Sequence, residues 1–141
     1  MPKPMIEDMP YPDLSKLTVD HRNARIIMPA YADAESEMTA VLQYIFQSIS
    51  LGVAGNSRYA STIESIAIAE MKHLDMLGEA LLRMGVKPIY TRRPPDNCNF
   101  YSTCHVDYAT QPVAMLAADI AAETDAIRGY EAMLPRITEP T

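Results

Sequence analysis

Four residues combine metal-binding chemistry with a position on the apolar face of a predicted helix: Glu37, Glu70, His73 and Glu123. Helix residues spaced alternately by three and four face the core and are normally apolar. An unpaired buried carboxylate is costly, so three of them in one core layer need compensating positive charge. A metal ion supplies that charge, and carboxylate oxygens with one imidazole suit Mn, Fe or Zn.

The spacing of Glu70 and His73 is the most informative part of this set. They form Glu-x-x-His, an i, i+3 pair on one helix face. This motif builds di-iron and di-manganese carboxylate sites inside four-helix bundles. Alone the motif occurs by chance in many helices. Together with Glu37 and Glu123 on two other helices, it indicates a dinuclear Mn or Fe centre.

Two tyrosines repeat the same spacing from two of these carboxylates. Tyr44 follows Glu37 by seven residues, and Tyr130 follows Glu123 by seven residues. The first and third helices therefore resemble two copies of one element. We expect the tyrosines to donate hydrogen bonds to the ligands or to be redox-active, although ordinary core packing explains them equally well.

Three long helices must position these residues, over 29–53, 57–84 and 111–134. Pro29 and Pro112 suit first turns, and Gly85 suits the position just past a helix end. The 26 residues of 85–110 form a long connection. It can reach about 90 Å, whereas a 25-residue helix spans about 38 Å. The sequence therefore predicts an all-α bundle with one long crossover between the second and third helices, which is a known route to ferritin-like helical bundles. A plain surface loop is the alternative, although structureless loops of this length are uncommon.

Length and composition place these helices in one domain. The chain has 141 residues, which fits a single domain. Residues 1–28 contain four prolines and predict an extended arm, and 29–141 predict the helical domain. The net charge of −6 argues against a nucleic acid or an anionic membrane as partner. Because no apolar run suggests a membrane span or a signal peptide, we expect a cytoplasmic protein.

Other interpretations of the same residues remain open. A shift of one position in a helix face would move the carboxylates to solvent, and Glu35 could then replace Glu37 as the ligand. His73 alone would be taken as a buried core histidine. In the connection, Cys98, Cys104 and His105 could bind zinc, the cysteines could form a disulfide, or they could be two loop thiols. Their spacing is not that of common structural zinc sites, which favours loop thiols.

The sequence resembles the ferritin-like superfamily, and most closely its manganese-catalase branch with the small spore-coat relatives. Four segments carry the resemblance: SEMTAVLQY (36–44), IAIAEMKHL (66–74), DIAAE (119–123) and the AI-x-x-Y segment at 126–130. The resemblance implies a dinuclear manganese or iron centre and redox chemistry with peroxide or dioxygen. By motif position, Glu37, Glu70, His73 and Glu123 take over ligand roles. It also makes the spore coat an alternative location.

The sequence departs from this family in one respect. Family members have a fourth helix with a second Glu-x-x-His, whereas the step from Glu37 to Glu70, repeated from Glu123, leads past Thr141. We therefore expect a homo-oligomer in which a partner chain supplies the missing helix. The alternatives are that another polypeptide supplies it, or that the site is impaired.

Three functions follow from this pattern. The first is catalase-like disproportionation of hydrogen peroxide by the dinuclear centre. The second is Fe(II) oxidation of the ferroxidase or rubrerythrin type, which the same ligands allow. Against a complete rubrerythrin, the sequence has no rubredoxin-like Cys-x-x-Cys pair. The third is a structural, coat-type protein with a vestigial metal site.

Overall fold

The computed structural model describes residues 10–91 and 100–138, and helices dominate this part of the chain. The four α-helices are α1 His21–Ala32, α2 Glu37–Val53, α3 Ser57–Arg83 and α4 Pro112–Met133. Short 3-10 turns cover Thr103–His105 and Leu134–Arg136. The described residues form no strand and only one isolated bridge, between Thr91 and Phe100. The predicted all-α fold with three long helices is confirmed, with α2, α3 and α4 as those helices.

The first helix was predicted over 29–53 and is in fact two helices. The Asp20 side chain caps α1 by accepting a hydrogen bond from the Asn23 backbone N–H. Pro29 lies inside α1, which ends three residues later. The Ser36 hydroxyl then caps α2 by accepting from the Thr39 backbone N–H. Two side-chain caps thus define two helix starts that the proline pattern alone did not reveal.

The prediction of an extended arm is therefore wrong for residues 21–28, which are helical. The reason is local: all four prolines of the arm lie before the Asp20 cap, where they cannot interrupt α1. Residues 1–9 lie outside the described part of the chain. The division into an arm and a helical domain stays a prediction.

Helices α2 and α3 form an antiparallel hairpin around a short turn. The turn contains Gly55 at a φ of 89°, a left-handed conformation that glycine adopts without strain. A core cluster fills the space beside the turn, comprising Tyr44, Leu51, Ile63, Ala67 and Met115. Because the two helices run in opposite directions, the start of α2 lies beside the C-terminal half of α3. That arrangement brings Glu37 towards Glu70 and His73.

Helix α1 packs against the C-terminal half of α3 and forms a second core. Its members are mostly small or flexible side chains, namely Ala24, Met28, Tyr31, Ala32, Ala80, Leu81 and Met84. Gly85, at a φ of 90°, ends the helical segment that this core stabilises. The predicted helix end just before Gly85 agrees with this geometry.

Helix α4 runs antiparallel to α2, as its hydrogen bonds show. Successive positions along α2 pair with positions in reverse order along α4: Glu37 with Tyr130, Tyr44 with Glu123, and Gln47 with Asp119. Since α3 is also antiparallel to α2, α4 is parallel to α3. The connection after α3 therefore returns the chain to the other end of the bundle, as predicted.

The crossover lies against α2 through several anchors. Tyr101 Oη lies 2.8 Å from Thr39 Oγ1, and the Asp107 backbone N–H donates to Gln43 Oε1 at 3.0 Å. Val106 is buried between these two contacts. The described end of the crossover, from residue 100 onwards, is thus anchored to α2 rather than free.

The apolar seam of α4 faces solvent, which corrects the prediction that it faces the core. Five seam residues are between 54% and 81% exposed: Val113, Leu116, Ile120, Ile127 and Leu134. Within α4 only Met115 and Asp119 are buried. The described residues provide no helix opposite this seam, so it has nothing to pack against. None of the helices in the described ranges has the length and hydropathy needed to cross a membrane.

Candidate metal centre

Helices α2 and α3 bring three of the predicted metal ligands together. Glu37 is the first residue of α2, and Glu70 and His73 lie one turn apart on α3. One ligand atom from each of the three lies within 4.8 Å of the other two. This is the only such group of His, Cys, Asp and Glu in residues 10–91 and 100–138. Its ligand role stays a prediction.

The three side chains touch directly. His73 Nδ1 lies 2.9 Å from Glu70 Oε2 and 3.9 Å from Glu37 Oε2. The carboxylate side chains are 11% and 12% exposed, whereas the imidazole is 40% exposed. Two nearly buried carboxylates thus face one accessible imidazole, and the imidazole nitrogen points at their oxygens.

The electrostatics of this group reflect crowded negative charge. Burial and the neighbouring Glu70 raise the pKa of Glu37 to about 9. Burial also acts to raise the pKa of Glu70, but hydrogen bonds from His73 and Glu37 outweigh it and lower that pKa. The hydrogen bond to Glu70 raises the pKa of His73. The two carboxylates thus favour binding one proton between them, in the place where a cation could neutralise the pair.

Each of the two tyrosines donates a hydrogen bond to a carboxylate on the other helix. Tyr44 Oη donates to Glu123 Oε1 at 2.6 Å, and Tyr130 Oη donates to Glu37 Oε1 at 2.5 Å. Burial, reinforced by the adjacent carboxylate, raises the pKa of both phenols. The repeat of seven residues thus becomes a reciprocal pair of contacts between α2 and α4. Both phenols remain protonated donors.

Glu123 stands apart from the three-residue group. It is exposed on α4, it accepts the hydrogen bond from Tyr44, and its carboxylate interacts with that of Glu70. It lines a cavity of about 390 Å³ that also contains Glu37, Glu70 and His73. The fourth predicted ligand is therefore beside the group without belonging to it, because α4 lies loosely against the hairpin.

The donor set fits a divalent transition metal. Carboxylate oxygens and an imidazole nitrogen converge, and the pair of buried carboxylates retains a proton that a metal ion would displace. The tyrosine bonds fix the orientation of Glu37 and Glu123, as partners of ligands do in metal sites. Glu37, Glu70 and His73 are the residues that would hold an ion.

The other candidates from the sequence lie outside this group. Glu35 is exposed at the rim of the cavity, whereas Glu37 belongs to the group of three with Glu70 and His73. Cys104 is exposed and forms no disulfide among the described residues, and the His105 ring packs edge-on against Tyr101. Cys98 lies outside the described residues, so a zinc site or disulfide with it stays untested.

Sequence reasoning missed a buried polar cluster next to the cavity, formed by Gln43, Gln47 and Asp119. Two signals could have revealed it. The two glutamines are spaced by four on the otherwise apolar face of α2, and Asp119 precedes Glu123 by one helical turn. Its hydrogen bonds with the two glutamines show that Asp119 faces α2.

Comparisons with known proteins agree with this architecture. A family model described as a ferritin-like domain matches residues 32–139. No curated protein sequence matches the chain. Two crystal structures of KatB, a manganese catalase from Anabaena, one of wild-type KatB and one from Anabaena PCC7120, superpose with a TM-score of 0.77 at 22% identity. Each match covers 96% of this chain and 68% of KatB.

The KatB likeness shows a shared fold, and the family match extends over most of the chain, including α2, α3 and α4. The buried glutamates, the Glu-x-x-His pair and the long crossover are features of that match region. The chain therefore belongs to the ferritin-like domain family.

Proposed function

We propose that the protein binds a dinuclear Mn or Fe centre and disproportionates hydrogen peroxide into water and dioxygen. The observation that carries this proposal is the convergence of Glu37, Glu70 and His73 within 4.8 Å in a half-buried cavity. The fold shared with a manganese catalase supports the choice of reaction. In the balanced reaction, two peroxide molecules give two water molecules and one dioxygen molecule.

Each residue of the chain has a distinct task in this proposal. Glu70, His73 and Glu37 would hold the metal from the hairpin, and Glu123 would contribute a further carboxylate from α4. When bound, the metal pair supplies two accessible redox levels, so that one peroxide is reduced and another oxidised. Tyr44 and Tyr130 keep the carboxylates of Glu123 and Glu37 in fixed orientations through their hydrogen bonds. The cavity admits a molecule as small as peroxide.

We further propose that a second copy of this chain covers the exposed seam of α4. Glu123 and Tyr130 lie on the same heptad seam as the exposed Leu116, Ile120 and Ile127. A partner helix on this seam would bury apolar area and also close one side of the metal cavity. The second copy would thereby complete a site that has four candidate ligands in one chain.

The test begins with protein purified without a metal-chelating tag and resupplied with Mn(II) or Fe(II). We expect about one to two ions per chain, peroxide consumption that depends on the bound metal, and a solution mass of at least two chains. Glu70→Gln keeps the side-chain volume and should lose most of the bound metal. Glu79→Gln, an exposed residue of the same helix paired with Arg83, is the matched control and should keep it.

Two outcomes would redirect the proposal. Because Mn and Fe share these ligands, rapid Fe(II) oxidation with little peroxide turnover would favour the ferroxidase function. Metal binding with neither reaction would favour a structural, coat-type role, for which the exposed α4 seam is the supporting feature. Full metal content and turnover in Glu70→Gln would contradict the proposed centre.

A further inference from the structure

A buried polar cluster joins α2 to α4 outside the group of candidate ligands. Gln43 and Gln47 contribute from α2, Asp119 from α4, and their exposed fractions are 4%, 1% and 7%. Asp119 lies one helical turn before Glu123. The cluster therefore sits between the core of the hairpin and the part of α4 that carries a candidate ligand.

Within the described residues, two acceptor atoms of this cluster receive no hydrogen bond. Asp119 Oδ1 accepts from Gln43 Nε2 at 3.1 Å and from Gln47 Nε2 at 2.7 Å. Gln43 Oε1 accepts from the Asp107 backbone N–H. Among the described residues, nothing donates to Asp119 Oδ2 or to Gln47 Oε1, and both atoms are buried. Two buried acceptors without a donor are costly.

No cation compensates the carboxyl group. Lys, Arg and His residues in the described ranges form no ion pair with Asp119. The titratable groups around it are Asp107 on the crossover, Tyr44 on α2 and Glu123 on α4, which are acids. Burial raises the pKa of Asp119, and the hydrogen bonds from the two glutamines only partly oppose that shift. An ionised Asp119 would have no positive partner on any packed element.

We propose that Asp119 is a neutral carboxylic acid in the folded protein, and that its Oδ2–H donates to Gln47 Oε1. The 2.7 Å bond from Gln47 Nε2 to Oδ1 already aligns the amide with the carboxyl group. One proton on Oδ2 then satisfies both leftover acceptors and closes an acid–amide ring with two antiparallel hydrogen bonds. The proton remains on Asp119.

The acid–amide ring makes Asp119 a positioning residue for α4. Met115 is the only other buried residue of α4, so polar bonds hold this helix against α2. Asp119 fixes the register in which Glu123 meets Tyr44 and Tyr130 meets Glu37. This positioning role rests on the proposed function, whereas the protonation of Asp119 does not.

The test compares Asp119→Asn with Asp119→Leu in the full chain. Asparagine imitates the acid, because its Nδ2–H donates to Gln47 Oε1 and its Oδ1 still accepts from both glutamines. We expect Asp119→Asn to fold and to keep its metal content. Asp119→Leu leaves the glutamine N–H groups unpaired and should lower the folding equilibrium constant about 10- to 100-fold.

Two readouts report the proton itself. The infrared difference spectrum of wild type minus Asp119→Asn should contain a carboxylic-acid carbonyl band at neutral pH, with the contribution of Glu37 cancelling. The stability of wild type relative to Asp119→Asn should fall as pH rises above about 4. The sign follows because the folded state holds the proton more tightly than the unfolded state.

The proposal is overturned if the difference spectrum lacks this band, or if the stability of wild type relative to Asp119→Asn does not fall as pH rises above about 4. If the band is present but neither protein binds Mn or Fe, the acid–amide ring stands and the proposed function fails. If Asp119→Leu folds and retains full metal content, the positioning role is wrong.

Discussion

The α2–α3 hairpin and α4 are held in the protein by different forces. The hairpin buries a continuous apolar core that includes Leu51, Ile63 and Ala67. Helix α4 contributes Met115 to that core, makes hydrogen bonds to α2 and touches α1, while its apolar seam is exposed. Three candidate ligands belong to the hairpin and only Glu123 belongs to α4. The hairpin therefore holds three of the four candidate ligands in a packed arrangement, and α4 holds the fourth less firmly.

This difference explains why the candidate ligands are unequally organised. Glu37, Glu70 and His73 converge because a packed core fixes the helices that carry them. Glu123 is held by one phenol and by the buried cluster one turn away, and it stays outside the tight group. Polar contacts specify the register of α4, but they contribute less stability than a buried apolar face.

The largest expected effect on stability concerns the apolar core of the hairpin. Leu51→Ala should destabilise the fold by about 2–5 kcal/mol, because it opens a cavity between α2 and α3. The same change on the seam of α4, Leu116→Ala, should cost less than about 0.5 kcal/mol in the dissociated chain. Denaturant unfolding at low protein concentration measures both. Equal losses would mean that α4 is packed as firmly as the hairpin.

Replacing a carboxyl group among the candidate ligands of the hairpin should stabilise the metal-free protein, whereas the change in the core destabilises it. In metal-free protein, the pKa of Glu37 is raised to about 9, so the folded state binds a proton that the unfolded state releases near 4.5. Stability from this group is present below pH 4.5 and is lost as pH rises towards 9. Glu37→Gln should therefore stabilise the metal-free protein by on the order of 2 kcal/mol at pH 8.

The same variant should bind metal poorly, because an amide cannot replace a bridging or terminal carboxylate. Thermal unfolding across pH 5–9, before and after Mn(II) addition, measures both effects. A stability gain from Mn(II) that is equal in wild type and Glu37→Gln would remove Glu37 from the ligand set.

Removing a tyrosine hydrogen bond between α2 and α4 should have an intermediate effect on the free energy of unfolding. Tyr44→Phe removes a hydrogen bond from a phenol that is 3% exposed and should cost about 1–2 kcal/mol. Tyr130, at 38% exposed, is closer to water, and Tyr130→Phe should cost less than about 1 kcal/mol. The unfolding free energies of the two variants compare the bonds directly. A larger loss at Tyr130 would contradict the weaker attachment of α4.

The smallest effect on folding should come from the exposed seam. Ile120→Ser, at a side chain that is 68% exposed, should change the stability of the dissociated chain by less than about 0.5 kcal/mol. It should nevertheless weaken association, since the seam is the surface proposed for a second copy. Sedimentation across a range of concentrations measures this. Unchanged association would place the interface elsewhere.

Local patterns predicted most of the helices and the core of the site. The pair Glu70 and His73 shares a face in any helix, and Gly85 ends α3 as its position suggests. The break between α1 and α2 was missed, because Pro29 was taken as a helix start while the Asp20 and Ser36 caps were not recognised. Such caps depend on side-chain rotamers that spacing alone does not reveal.

The position of Glu123 and the cluster at Asp119 could not be predicted in the same way. Heptad spacing identifies the apolar seam of α4 but not the element that covers it. That depends on packing between distant parts of the chain and on any partner. The burial of Asp119 likewise depends on the packing of α4 against α2.

Local sequence patterns were enough to predict the helical class, the long crossover and the shared faces of Glu37 with Tyr44 and of Glu70 with His73. These follow from the 3.6-residue period, which acts within a single helix. Only the tertiary structure decided which faces are buried, which tyrosine meets which carboxylate, and that α4 presents its apolar seam to solvent. Burial and long-range hydrogen bonds are properties of neighbouring elements, so no local pattern contains them.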